Sequence, residues 1–160
     1  MLASVGMAVV VFGGAYLVGS FLGNLKLING VEEGECLQDF FGSDDSGYGE
    51  VYFVQTTDCG DPHALEVYAV TETLWAGREP KGTIVDVDEL FLQGEEWCAV
   101  QFELFVGEPY ETSPLAMWTF VPLPQAWEQG DRTVQCVVGA LDEETLTTGT
   151  LRNSAGRSLA

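Results

Sequence analysis

The residues of this chain that could do acid–base or metal chemistry lie around its single histidine, His63. The surrounding run CGDPHALE, from Cys59 to Glu66, places a carboxylate three residues after the imidazole. Such a pair could share a proton or hold a cation. Ala64 to Thr71 is predicted to be a strand, however, in which positions 63 and 66 face opposite sides, and no second histidine completes a common transition-metal site. We therefore expect His63 to be structural, ending a turn and bonding to backbone or to Asp61.

The remaining acids and nucleophiles form no catalytic motif. Asp86, Asp88 and Glu89 resemble a calcium loop but lack its glycine and its final glutamate, so we expect helix N-terminal acids. The sequence contains no P-loop, no G-x-S-x-G and no H-E-x-x-H motif. We therefore expect a non-enzymatic protein with no catalytic residue, no metal and no cofactor.

The four cysteines are widely spaced and form no C-x-x-C pair, which disfavours zinc-ribbon and redox motifs. An even count beside a membrane anchor favours two structural disulfides in an oxidising compartment, against the alternative of buried thiols in a cytosolic domain. Of the three possible pairings we favour Cys36–Cys59, around one short strand. The second bridge, Cys98–Cys136, would join the main helix to a central strand.

The elements that must position these residues follow an apolar amino-terminal segment. Residues 1–23 carry no charge, and all 31 charged side chains lie beyond them. As a helix, Leu2 to Leu22 would span roughly 31 Å, about one hydrocarbon core. We expect residues 1–24 to be an uncleaved transmembrane helix, 25–34 a tether and 35–160 one domain. Lys26 weakly favours a cytoplasmic domain, but the cysteines favour a domain outside the cell membrane and a cytoplasmic amino terminus.

Two features of the chain suggest partners. Ala15, Gly19 and Gly23 recur every fourth residue, which would let the helix of another membrane protein approach closely within the bilayer. The net charge of −19 disfavours nucleic acid. It is compatible with a solvated surface or with docking to a basic extracytoplasmic protein surface.

Apolar residues at three- and four-residue steps predict one main helix over about Asp86 to Val106. Other segments predict strands or a short helical turn, listed in chain order: Val51 to Thr57, Ala64 to Thr71, Leu115 to Val121, the turn Pro124 to Gln129, Thr133 to Leu141 and an edge strand Leu146 to Arg152. The fold class is therefore α+β, an antiparallel sheet packed with one main helix, with two disulfides and a preceding transmembrane helix. We expect core or half-buried packing for all four tryptophans. Trp75 and Trp127 lie near loops and are better surface candidates than Trp97 and Trp118.

Several short motifs resemble the septum formation domain family of actinobacterial membrane proteins. They are listed in chain order: Gly34-Glu35-Cys36-Leu37, Cys59-x-x-Pro62-His63-x-x-Glu66-Val67-Tyr68-Ala69, Cys98, Trp127, Gly130-Asp131-Arg132-x-Val134-x-Cys136 and Thr148-Gly149-Thr150-Leu151-Arg152. The resemblance covers about Gly34 to Arg152. It implies an extracytoplasmic domain on a single helix, with paired cysteines. It supplies no catalytic residues, so we take Pro62, His63, Glu66, Gly130, Asp131 and Arg132 as structural motif residues.

Together these features predict an accessory subunit of a larger actinobacterial membrane assembly, with a respiratory supercomplex or the cell-envelope machinery as host. The alternatives are a free-standing septum or cell-wall binding module and, more remotely, an envelope hydrolase. An exposed aromatic patch would favour the binding module. Acids converging on His63 in a cleft would favour the hydrolase.

Overall fold

The computed structural model describes residues 24–43, 50–75, 86–141 and 145–156. The expected transmembrane helix lies outside these residues, and no helix within them is long and apolar enough to cross a membrane. The elements, in chain order, are β1 (Leu25–Leu27), β2 (Cys36–Ser43), β3 (Glu50–Thr57), β4 (Leu65–Thr71), α1 (Val87–Val106), β5 (Leu115–Phe120), α2 (Pro124–Gln129) and β6 (Val134–Ala140). Short 3₁₀ turns occupy Ile28–Gly30 and Tyr110–Thr112.

The strands form one antiparallel sheet in the order β1-β3-β2-β4-β6-β5, so the α+β class, the antiparallel sheet and the main helix are confirmed. The predicted set of strands along the chain is wrong at both ends of the domain. Strands β1 and β2 were missed, and β1 lies in the segment 25–34 expected as a tether. The expected edge strand Leu146 to Arg152 is absent: only Thr147 makes a bridge, to His63.

Helix α1 begins and ends where its sequence predicts. The Asp86 carboxylate accepts a 3.0 Å bond from the Asp88 N–H, which caps the first turn, and Gly107 ends the helix at a φ of 94°. Gly94 lies in the buried stripe, and a Cβ there would lie 2.9 Å from Cγ1 of Val121. Glycine at position 94 therefore lets the helix approach the end of β5 closely.

The core has two parts, one on each face of β6. On the helix side, Phe102 and Phe105 of α1 pack with Tyr68 of β4 and Val138 of β6. The Tyr68 hydroxyl donates a 2.9 Å hydrogen bond to the Cys98 carbonyl oxygen. Burial, and secondarily the neighbouring Tyr110, raises the pKa of the Tyr68 phenol well above its usual range.

On the other face of the sheet, Val137 of β6 packs with Val54 of β3, and both side chains are fully buried. Ile28, just after β1, and Phe120, at the end of β5, pack against this same cluster. Because β1 and β5 are the two edges of the sheet, their contact with one cluster shows that the sheet is strongly curled.

Two disulfides cross-link the domain, as expected. Cys36 is bonded to Cys59 and Cys98 to Cys136, the pairing that the sequence favours. The second bridge ties α1 to β6 and so fixes the helix on the sheet. The first encloses both β2 and β3, rather than one short strand.

Candidate functional site

His63 lies at the end of the turn that follows Cys59, and its side chain is fully buried. Its Nδ1 is 2.8 Å from the carbonyl oxygen of Asp61, so the ring donates to local backbone. Its own main chain exchanges two hydrogen bonds, of 2.9 and 2.8 Å, with Thr147. Pro62, directly before it, is exposed. The imidazole therefore holds a turn together through Nδ1, as the local-bonding expectation requires, while its Nε2 has no hydrogen-bond partner among the described residues.

The Glu66 carboxylate holds the carboxy-terminal segment against β4. It is 3% exposed and accepts 2.7 Å hydrogen bonds from the Thr150 hydroxyl and from the Leu151 N–H. Leu151 is buried in the helix-side core. This arrangement explains why the expected last strand is absent: a side chain, and not a strand ladder, satisfies the backbone there.

A third cluster follows α2, where Gly130 adopts a φ of 101° and ends the helix. The Arg132 guanidinium lies 3.6 Å from the centre of the Trp127 ring and donates a 2.8 Å bond to the Trp127 carbonyl oxygen. The Asp131 carboxylate accepts bonds of 2.9 and 2.7 Å from the N–H and hydroxyl of Thr133. These residues therefore fix the entry of the chain into β6.

Core or half-buried packing of all four tryptophans is confirmed, but Trp75 and Trp127, the two better surface candidates, are the more deeply buried pair. Trp75 is 2% exposed and Trp127 is fully buried, whereas Trp97 and Trp118 are half-buried. Trp75 and Trp127 pack edge to face with ring centres 5.5 Å apart. Sequence neighbours gave no sign of this, because the cover over Trp127 comes from Arg132.

The structure does not bring the predicted motif residues together at one surface. His63 and Glu66 serve two separate backbone contacts, and Asp131 and Arg132 lie around α2. Ala15, Gly19 and Gly23, expected at a helix–helix contact, lie outside the described residues. Within those residues, no group of three or more potential metal ligands is gathered in one place.

An open groove of about 480 Å³ lies between the two curled edges of the sheet. One wall is formed by Leu27, Ile28 and Asn29, and the opposite wall by the segment Val121 to Leu123 and by α2. Asn29 donates a 3.1 Å hydrogen bond to the Asp131 carboxylate, which joins the two walls. The lining thus combines aliphatic and uncharged polar side chains with the aromatic ring of Tyr52 and the carboxylate of Asp131.

Gln135 of β6 is the polar residue most deeply placed among those that line the groove. It is 2% exposed, and its Nε2 atom has no hydrogen-bond partner in the described part of the chain. Buried amide donors are normally satisfied, so this atom keeps an unused capacity to donate a hydrogen bond. Gln135 was not predicted as a site residue. The available signal was a glutamine inside the apolar run TVQCVVGAL.

Comparison with known proteins gives one match. A family model described as septum formation matches residues 33–158, which include both disulfides and all three motif clusters. No curated protein and no solved structure gives a significant match.

Proposed function

Since this chain belongs to the septum formation family, we propose that it is a non-enzymatic accessory subunit of a larger membrane assembly. The family assignment indicates a role associated with cell division and the cell envelope. Our proposal adds that residues 1–24 anchor the chain in the cell membrane, that the amino terminus is cytoplasmic, and that the domain lies on the outer face. The host would be a respiratory supercomplex or the cell-envelope machinery.

The observation that carries the non-enzymatic role is the use of the motif side chains inside the fold. His63 and Glu66 bond to backbone of their own domain, and Arg132 covers Trp127. A general acid or base must reach a substrate atom within hydrogen-bond distance. Side chains that bond to or cover their own domain support a scaffold more readily than a reaction.

The membrane position is supported by the sequence and by the disulfides. An uncharged run as long as residues 1–23 suits a hydrocarbon core. Structural disulfides persist in oxidising compartments and are rare in the cytosol. The acidic surface of the domain would add an attraction for a basic face of the assembly, screened by salt over about 8–10 Å.

A second candidate function, a septum or cell-wall binding module, is favoured by the open groove. Uncharged amides beside aliphatic walls could hold a neutral polymer as well as a protein. The two candidate functions predict different binding partners for the full-length protein. An accessory subunit binds a membrane protein, whereas a binding module binds isolated cell-wall material. Sedimentation of the protein with purified cell wall, with and without Gln135→Leu, separates them.

The direct experiment is affinity purification of the tagged full-length chain from its native membranes in a non-ionic detergent, followed by mass spectrometry. An unrelated tagged single-pass protein at matched expression supplies the background. We expect one membrane assembly to be enriched well above that background, with partial loss at high salt. Recovery of background proteins alone, also after chemical cross-linking in the membrane, would rule out an accessory subunit.

A further inference from the structure

The outer edge of β1 offers unpaired main-chain groups beside the groove. The Asn24 carbonyl oxygen accepts a 2.9 Å bond from the Thr56 N–H, and the register continues with Lys26 opposite Val54. Bonded and non-bonded pairs alternate along an antiparallel ladder. The N–H and C=O groups of Leu25 and the N–H of Leu27 therefore point away from β3. The Leu27 carbonyl oxygen is used by the 3₁₀ turn Ile28–Gly30, which Leu27 caps. No described strand pairs with this edge.

The edge and the groove meet at Leu27. This residue ends β1, lines the groove and is 56% exposed. Deeper in the same groove lies Gln135, whose Nε2 lacks a partner among the described residues. A ligand reaching both features must present main-chain-like donors and acceptors at the edge and a carbonyl oxygen at the floor. An extended polypeptide does both.

The charges around the groove restrict the ligand further. Asp131 is the one charged side chain among the described lining residues, and it is negative. Lys26 on β1 is already paired with Glu35. The whole chain carries −19, so acidic peptides and anionic lipid headgroups would be repelled. A second copy of this chain, equally acidic, is disfavoured for the same reason.

We propose that the outer edge of β1 and the groove bind an extended segment of a partner polypeptide, with apolar residues alternating with basic ones. The segment adds a strand beside β1, its apolar side chains enter the groove, and one of its carbonyl oxygens accepts from Gln135. This proposal rests on the proposed function, in that it names how the domain holds its partner. A three-residue edge strand supplies few bonds by itself, so the groove must supply the rest.

Two variants test the proposal at separate atoms. Leu27 has a φ of −65°, which proline adopts without strain, so Leu27→Pro removes one outward N–H and leaves the β1–β3 ladder intact. Leu27→Ala is its reference, because it also loses the groove-lining side chain but keeps the N–H, so the difference between the two variants reports the N–H alone. Gln135→Leu removes the buried amide, and Gln101→Leu on α1, away from the groove, is its control.

The probe is a blocked, fluorescein-labelled peptide of alternating lysine and valine, about ten residues long, the upper end of the usual strand range. Its binding to the full chain in non-ionic detergent is followed by fluorescence anisotropy at about 0.15 M salt, which limits non-specific attraction. A second peptide of the same sequence carries N-methyl groups on every internal main-chain nitrogen. It keeps the charge but cannot form a strand.

We expect saturable binding that Leu27→Pro and Gln135→Leu each weaken about fivefold or more, the effect of one lost hydrogen bond. Leu27→Pro should also bind the peptide about fivefold more weakly than Leu27→Ala, whereas Gln101→Leu should bind it nearly as wild type does. The N-methylated peptide should bind at least as weakly as the test variants. Absence of saturable binding, equal affinity of each test variant and its reference variant, or equal affinity for the methylated peptide would overturn the proposal. So would a dimer of wild type that Leu27→Pro dissolves, since a second copy would then occupy the edge. Co-purification of a membrane partner with the wild-type chain is measured separately. If the chain binds the peptide but recovers no membrane partner, the accessory role is wrong and the peptide site is retained.

Discussion

The carboxylate of Glu66 and the main-chain N–H of Leu151 are joined by a buried hydrogen bond of 2.7 Å across 85 residues of sequence. It connects the central part of the sheet to the last described segment of the chain. The bond is charge-assisted, and it leads directly to the side chain of Leu151, which is 1% exposed in the core. Glu66 therefore holds the carboxy-terminal segment against the sheet.

Glu66→Gln should lower the free energy of unfolding by about 1–3 kcal/mol, because a neutral amide replaces a carboxylate that accepts two bonds. Glu72→Gln is the matched control, because Glu72 is exposed and its substitution removes the same charge. Urea unfolding of both variants gives the difference. Equal stability of the two variants would show that the bond to Leu151 contributes nothing net.

Each disulfide should stabilise the domain by about 2–4 kcal/mol, chiefly by restricting the unfolded chain. The double variants Cys36→Ala with Cys59→Ala, and Cys98→Ala with Cys136→Ala, remove one bridge at a time without leaving a lone thiol. Denaturant unfolding measures the loss. Peptide mapping of unreduced protein should recover both pairs, and a Cys36–Cys98 pair or free thiols would contradict the structure.

His63→Ala should destabilise the domain modestly, by about 1–3 kcal/mol, because the ring is buried and its loss leaves the Asp61 carbonyl oxygen unpaired. Partner recovery from native membranes should be unchanged. Thermal unfolding and co-purification are measured on the same preparation. Loss of partner recovery at an unchanged melting temperature would show that His63 acts in function and not in structure.

The raised pKa of Tyr68 predicts alkaline instability. The folded protein keeps this phenol protonated, whereas the unfolded chain ionises it near the ordinary tyrosine pKa of about 10, so stability is intact below that pH and falls above it. The slope from this one group approaches about 1.4 kcal/mol per pH unit. Tyr68→Phe should remove that contribution, and Tyr52→Phe, at an exposed tyrosine, should retain it. Urea unfolding between neutral pH and about pH 11 decides; parallel curves for both variants would contradict the assignment to Tyr68.

The sequence predicted elements whose signals are local. Helix α1 has a long apolar period and an Asp86 cap, and α2 is bounded by Pro124 and Gly130, so both were placed within one residue. Strand β1 is too short for a periodic signal, and β2 was hidden by Gln38, Asp39 and the Gly-Ser end of its run. Local signals are all that a single sequence provides directly.

The groove and its glutamine could not be derived in the same way. Its walls come from residues 27–29 and 121–135, which only the curl of the sheet brings together. The burial of Trp127 likewise depends on Arg132 folding back over the ring. The sequence does show a polar glutamine at position 135 inside an apolar strand. Whether that side chain faces a groove depends on how β6 pairs with its neighbouring strands, which sequence spacing does not specify.

The most direct test of the central claim is the amount of membrane partner recovered with the full-length chain when Gly19 is replaced by leucine. Gly19→Leu adds bulk on the small-residue face but suits lipid, whereas Val18→Leu changes the neighbouring position and serves as control. Both variants should insert in the membrane as wild type does. We expect less partner to be recovered with Gly19→Leu than with wild type or Val18→Leu. The partner that Gly19→Leu still recovers should be lost at high salt. Equal recovery for wild type and both variants, with full binding by residues 25–160 alone, would show that the amino-terminal segment is only an anchor and contradict docking through the helix.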